Sequence, residues 1–231
     1  MARLITPPRR RGHEILDDPD CDARLRRRSL ADVARSNRLF GGTRAVLAEL
    51  DAVFCASSGT LTLLDVGTGM GDIPAAARAR ARRRGVRLVA LGVDGAQTLA
   101  AAAAARLDGT VQADARRLPF ADGSVDLVTC SQLLHHFTEV EAREVVAELH
   151  RVARRRVIIA DLRRSWLAAA GLWLASFPLR FHPVSRHDGV VSVLRGFTGG
   201  ELRELVRATT GRTPAVRRRA AFRLTASWTP A

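Results

Sequence analysis

The chain has 231 residues, 47% of them hydrophobic and 26% charged. That is enough apolar material for one generous α/β domain and too much for wholesale disorder. No apolar run reaches the roughly 18–20 residues of a membrane-spanning helix, the basic N-terminus is not followed by the apolar stretch of a secretory signal, and three scattered cysteines point to a reducing, cytoplasmic setting and away from a paired-cysteine zinc site.

The net charge of +14 comes from arginine alone, since the chain has no lysine. A coding bias toward arginine and alanine accounts for this, and so does an anionic partner, either nucleic acid or a membrane surface. The runs at 24–28, 82–84, 154–156 and 217–219 are dispersed, and no aromatic residues interleave with them to stack bases.

Along the chain, residues 1–24 read as a loosely ordered arm. Leu25 to Phe40 is amphipathic and helical, Gly41-Gly42 breaks it, and Thr43 is placed to cap a second helix reaching Cys55. The rhythm then changes. Buried strands are expected at 61–66, 86–93, 110–113, 125–130 and 156–160, alternating with helices at 73–84, 96–106 and 138–152. Strands alternating with helices at this spacing make a parallel sheet covered on both faces. After Asp161 comes an almost uncharged stretch, Trp166 to Leu179, then a loop from Phe181 to Phe197, a helix over 198–210 and two closing strands near Val216 and over 222–227.

Chemistry concentrates at the carboxyl ends of the expected strands. Asp65-Val66-Gly67-Thr68-Gly69-Met70-Gly71-Asp72 is a glycine turn between a strand and a helix, where backbone can approach a ligand closely. Its G-x-G-x-G spacing differs from the G-x-G-x-x-G of a dinucleotide site. Asp65 and Asp72 put negative charge beside it, unfavourable for pyrophosphate and favourable for a ligand carrying an ammonium and a sulfonium. Asp94 ends the second strand, where it can accept both hydroxyls of a ribose. Asp114 follows the third, where it can accept from an adenine amino group, with Leu118-Pro119-Phe120 beside it. Asp126, at the start of the fourth strand, reads as a structural acid.

In this order these segments resemble the class I S-adenosylmethionine-dependent methyltransferase family, most of all its small-molecule branch, which includes the ubiquinone/menaquinone biosynthesis methyltransferases. The resemblance covers about residues 61–161. It implies a Rossmann-like three-layer sandwich whose seven-stranded, mostly parallel sheet has an antiparallel last strand. It implies S-adenosylmethionine as cofactor, with the Gly67–Gly71 turn on its methionine part, Asp94 on the ribose, and Asp114 with Ala115 on the adenine. The expected cofactor-binding set is Asp65, Gly67, Thr68, Gly69, Gly71, Asp94, Gly95, Asp114, Ala115 and Ser131. No metal is expected. The domains expected are an arm and helical lid at 1–56 and a core at 57–231, with an acceptor-recognition insertion at about 163–197.

Methyl transfer needs a base only where the acceptor holds its proton tightly. His135 and His136 follow the fourth strand, and His182 and His187 fall in the segment expected to cap the pocket. His136 is the leading candidate base, with His135 and His187 behind it, and Asp188 stands next to His187. Enzymes that methylate exocyclic base amines carry an acidic/Asn-Pro-Pro-aromatic motif after the fourth strand. Here that place reads Cys130-Ser131-Gln132-Leu133. The expected activity is methylation of oxygen, or secondarily carbon, on an apolar phenolic, polyketide or isoprenoid compound. An RNA methyltransferase and a non-catalytic cofactor-binding scaffold are the alternatives. Segment 165–180 admits three readings: a buried helix, a pocket wall, or an interfacial helix giving peripheral membrane contact.

Overall fold

The computed structural model describes residues 6–10, 12–18 and 21–230. Residues 1–5, 11, 19 and 20, part of the expected arm, lie outside them. Seven strands form one sheet: β1 (Gly59–Val66), β2 (Val86–Asp94), β3 (Gly109–Gln112), β4 (Val125–Ser131), β5 (Ala153–Leu162), β6 (Ala215–Arg219) and β7 (Arg223–Trp228). Their order is β3-β2-β1-β4-β5-β7-β6. The first five pair in parallel, and β7 runs antiparallel to both β5 and β6. This is the Rossmann-like arrangement with its antiparallel last strand.

The strands read as nearly continuous apolar runs because both faces are covered. Side chains alternate between faces. On one side Leu61, Leu63, Leu127 and Ile158 meet Val46, Leu50 and Phe54 of α2 (Gly42–Cys55) and Ile73, Ala77 and Ala81 of α3 (Asp72–Arg83). On the other, Leu64, Val66, Val128 and Ile159 meet Val145, Val146 and Leu149 of α5 (Glu139–Val152) and Leu202 and Val206 of α8 (Gly199–Thr210). Helix α1 (Ala23–Leu39) precedes this core, and α4 (Gln97–Ala104) links β2 to β3. Thr138 and Thr198 each close a reciprocal capping box, with Glu141 and Glu201.

Two local expectations change. Helix α2 starts two residues earlier than expected: Gly41, at φ 75°, takes the N-cap position in place of Thr43, so only one glycine is spent on the break. Thr43 lies inside the first turn with its hydroxyl buried and unpartnered. The expected loop at 181–197 is largely α7 (Pro183–Arg195). Proline at N1 suits a helix start, and the His182 ring accepts from the Val184 N–H at 3.3 Å as its cap. The histidines and Gly189 obscured this in the sequence.

Helix α6 (Trp166–Ser176) packs against α7 beyond the carboxyl end of the sheet, around Leu162, Ala168, Ala169 and Val193. The described part of the N-terminal arm lies across α7 and is tied down. The Ile15 and Leu16 N–H groups donate to the Asp188 carboxylate at 2.9 and 3.0 Å, Glu14 accepts from Ser192 and Arg195, and Arg164 donates to the Pro7 carbonyl. Below the sheet, the buried Glu49 of α2 accepts from Thr225 and Ser227 of β7 and Arg217 and Arg219 of β6. Burial alone would raise its carboxyl, but these bonds hold it below the usual range.

Candidate active site

A cavity of about 1040 Å³ opens at the carboxyl ends of β1, β2 and β4, where open parallel sheets bind ligands. One end is the glycine turn. Gly67 has φ +73°, and a Cβ there would stand 2.8 Å from the Leu133 side chain. Gly69, at φ +53°, has nothing within 4 Å of its Cβ position. The turn is pinned to β2: the Gly67 and Thr68 N–H groups donate to the Val93 carbonyl, and Gly69 N–H donates to Asp94 Oδ2 at 2.9 Å. Asp94 Oδ1 accepts from the Ala96 N–H at 3.0 Å. Each carboxylate oxygen keeps a lone pair for a ligand hydroxyl.

Asp65, Gly67, Thr68, Gly69, Asp94, Gly95, Asp114, Ala115 and Ser131 all line this cavity. Gly71 does not. It holds the N-cap of α3 at φ 70°, and a Cβ there would crowd Ala103 and Leu107. Asp114 is gripped by its own loop, since Arg116 donates to both carboxylate oxygens. The Arg116 hydrogen bonds hold the Asp114 carboxyl below its usual range. Ser131 Oγ is buried with no partner. Asp126 lies off the site, accepting from the Thr62 backbone and hydroxyl.

Three carboxylates converge on the turn. Burial pushes the Asp65 carboxyl up to about 7, with Asp72 and Asp94 adding repulsion and the Thr129 hydroxyl, which donates at 2.6 Å, offsetting part. Burial raises Asp72 in the same way. A diphosphate here would add charge of the same sign. A ligand carrying an ammonium and a sulfonium would neutralise it.

The other end of the cavity is walled by Leu30, Phe40, Leu162, Leu172, Phe181 and Phe222. Polar groups interrupt this apolar lining, Arg223 and His135 among them. Arg223 of β7 is buried and donates to Gln132 at 2.6 Å. Burial lowers its guanidinium to about 10. His135 has 2% of its side chain exposed and sits 2.7 Å from Asp161. Burial would raise the Asp161 carboxyl, but His135 and the Leu162 N–H outweigh this and hold it below the usual range. An ionised Asp161 accepts, so His135 Nδ1–H donates. Its Nε2 then carries the free lone pair, and that atom is buried with no partner.

The remaining histidines are placed differently. His136 also lines the cavity, with Nδ1 3.8 Å from Glu14 Oε2 and 3.4 Å from Arg195 Nη1. His187 bonds to Asp188 at 2.9 Å, but its ring is 53% exposed and is not part of the cavity wall. His182 is spent as the α7 cap. Glu14, His135 and His136 hold ligand-type atoms within 4.8 Å of one another. The Arg195 guanidinium stands 3.0 Å from Glu14, where a metal ion would need to compensate the same carboxylate. Sequence reasoning missed Asp161, Glu14 and Arg223. For Asp161 a signal existed: it lies near the end of β5 as Asp94 ends β2.

The fold, the glycine turn and the acid-ended strands define the class: the arrangement is that of the class I S-adenosylmethionine-dependent methyltransferase fold. Residues 64–160 match the methyltransferase domain family, and the chain carries that domain. Magnesium protoporphyrin IX methyltransferase from Synechocystis, solved with bound S-adenosylmethionine, is 13% identical and superposes at TM-score 0.56 over 94% of this chain and 88% of that one. A methyltransferase from Aquifex aeolicus is 16% identical at TM-score 0.60 over 87% and 97%. The 1,6-didemethyltoxoflavin-N1-methyltransferase of Burkholderia thailandensis is 18% identical at TM-score 0.55 over 92% of each. Comparison with curated proteins gives no match.

The residues present fit the cofactor: the acid cluster suits its cationic amino-acid end, the free lone pairs of Asp94 suit a ribose, and Ser131, whose hydroxyl is unpartnered, lines the same cavity. A proton balance follows. In the free protein the Asp65 carboxyl titrates near 7. A cation beside it favours the ionised form, so binding at about pH 6 is expected to release close to one proton. Calorimetry in two buffers of different ionisation enthalpy reads this directly, and Asp65→Asn should abolish the difference. The sign for stability is opposite to that of a salt-bridged acid. Between 3.8 and about 7 the folded chain holds the extra proton, so Asp65 favours folding at low pH and that contribution is lost as pH rises through 7.

Proposed function

We propose that this chain methylates a hydroxyl oxygen of an apolar small molecule, a phenol or enol, with His135 as the base and Asp161 holding it. The observation that carries this is the buried His135–Asp161 pair, whose outer nitrogen has no hydrogen-bond partner, in a residue lining a cavity that joins the acid-flanked glycine turn to a wall of aliphatic and aromatic side chains.

When bound, S-adenosylmethionine supplies an electrophilic methyl group on a sulfonium and a neutral thioether leaving group. The chain's own residues do the rest. Asp65 and Asp72 orient the cationic end at the glycine turn, and Asp94 holds the ribose. The apolar wall receives the acceptor and excludes water. His135 Nε2 takes the hydroxyl proton, and Asp161 fixes the tautomer and steadies the resulting imidazolium. Arg223 supplies a buried positive charge to an acceptor oxygen that becomes anionic. The inner side of α6, through Leu167, Ala168, Gly171 and Leu172, forms the acceptor-recognition element together with α7. His136, beside Glu14 and Arg195, shapes the site without being the base.

The small-molecule acceptors named for two structural neighbours, magnesium protoporphyrin IX and 1,6-didemethyltoxoflavin, support a small-molecule reading. So does the cavity wall, which offers aliphatic and aromatic carbon where an RNA site needs arginines and stacking platforms. The test is turnover of S-adenosylmethionine with a panel of alkylated phenols and enols, their methyl ethers, and RNA. Methylation of the free hydroxyls with no reaction of the ethers is the expected result. Transfer to RNA, or to carbon of the ethers, overturns it.

A further inference from the structure

Helix α6 has an outer face that nothing among the described residues covers. Trp166, Leu167, Trp173, Leu174 and Phe177 stand 41–61% exposed. Their spacing places them on neighbouring stripes of one helix. Five large apolar side chains in one patch need a partner.

The patch is continuous with the cavity. Leu167, Ala168, Gly171 and Leu172 of the same helix line it, so one side of α6 faces the acceptor space and the adjacent side faces outward. Its surroundings are cationic. Residues 163–187 contain no acid and four arginines, of which Arg164 is buried and paired with Glu201. The Arg10 guanidinium lies 5.2 Å from the Trp166 ring and that of Arg186 3.7 Å from the Phe177 ring, and Arg180 is exposed where the helix ends. Asp188, the next acid along the chain, is buried beneath the arm.

We infer that this face docks on an anionic lipid bilayer, with α6 lying in the headgroup region and delivering a lipid-soluble acceptor to the cavity. The inference rests on the apolar-acceptor reading above. Apolar side chains flanked by arginines match an interfacial element: the rings enter the acyl boundary and the guanidinium groups meet lipid phosphates. Among the described residues no helix is long and apolar enough to cross a membrane, so the contact is peripheral.

Flotation with phosphatidylcholine vesicles, with and without phosphatidylglycerol, tests this at physiological salt. The whole chain should float with the phosphatidylglycerol vesicles and release them as salt rises. Trp173→Glu with Leu174→Glu, positions outside the cavity lining, should weaken that binding about tenfold or more, and Arg180→Glu about fivefold. S-adenosylmethionine binding and turnover of a short, water-soluble phenol should stay unchanged in these variants. Equal affinity for neutral vesicles, or no flotation by a chain that still binds cofactor, overturns the inference and leaves the methyltransferase reading standing. A dimer that dissociates on Leu174→Glu, without vesicle binding by the native chain, assigns the face to a second copy and also overturns it. Loss of turnover with retained flotation is a failure of the catalytic reading instead.

Discussion

Asp94→Ala is expected to weaken S-adenosylmethionine binding by about a hundredfold, read by calorimetry or thermal shift. Two effects combine. The side chain offers a free lone pair on each oxygen to the ribose hydroxyls, and hydrogen bonds to a charged group contribute about 1.5–3 kcal/mol. The same carboxylate also clamps Gly69 N–H and Ala96 N–H. Its loss frees the glycine turn that approaches the amino-acid end, so the two losses together reach about 3 kcal/mol, or two decades in affinity. Asp94→Asn keeps one acceptor oxygen and should fall between alanine and the native chain. Native affinity in Asp94→Ala would remove the ribose role and with it the orientation assigned to the cofactor.

His135→Ala should lower kcat with a phenolic acceptor by about 10²–10⁴ while cofactor affinity stays near native. The base is not replaced by His136, which faces Glu14 and Arg195. Asp161→Asn leaves an imidazole in place but removes the anion that selects its tautomer, so it should also slow turnover. His135 and Asp161 are buried, so His135→Gln, which preserves volume, separates lost chemistry from lost packing. Cofactor binding by each variant reports an intact core. Native kcat in His135→Gln would sink the proton-transfer assignment and shift attention to acceptors that are nucleophilic without a base.

Much of the architecture was legible because parallel strands announce themselves. Runs such as 61–66 and 86–93 are largely apolar and are broken by glycine and acid at their carboxyl ends, a pattern that buried strands feeding ligand-binding loops require. That most of the expected cofactor residues would gather at one cavity was legible for the same reason: they sit within a turn or two of a strand end, so position along the chain is position in space. The loop expected at 181–197 failed because helix α7 takes its stability from tertiary packing against α6 and the arm, which a local pattern does not carry. Thr43 failed because glycine can itself take the N-cap conformation.

The sequence by itself determined the order of strands and helices, the glycine turn and the acids that end β1 and β2, since these depend on local periodicity and on neighbours a few residues apart. Only the tertiary structure decided which histidine meets a carboxylate. His135 and His136 are adjacent in the chain, yet one ring turns inward to Asp161, 26 residues away, and the other toward Glu14, 122 residues earlier. The choice depends on the packing of β4 beside β5 and of the arm over α7, contacts between segments far apart in sequence.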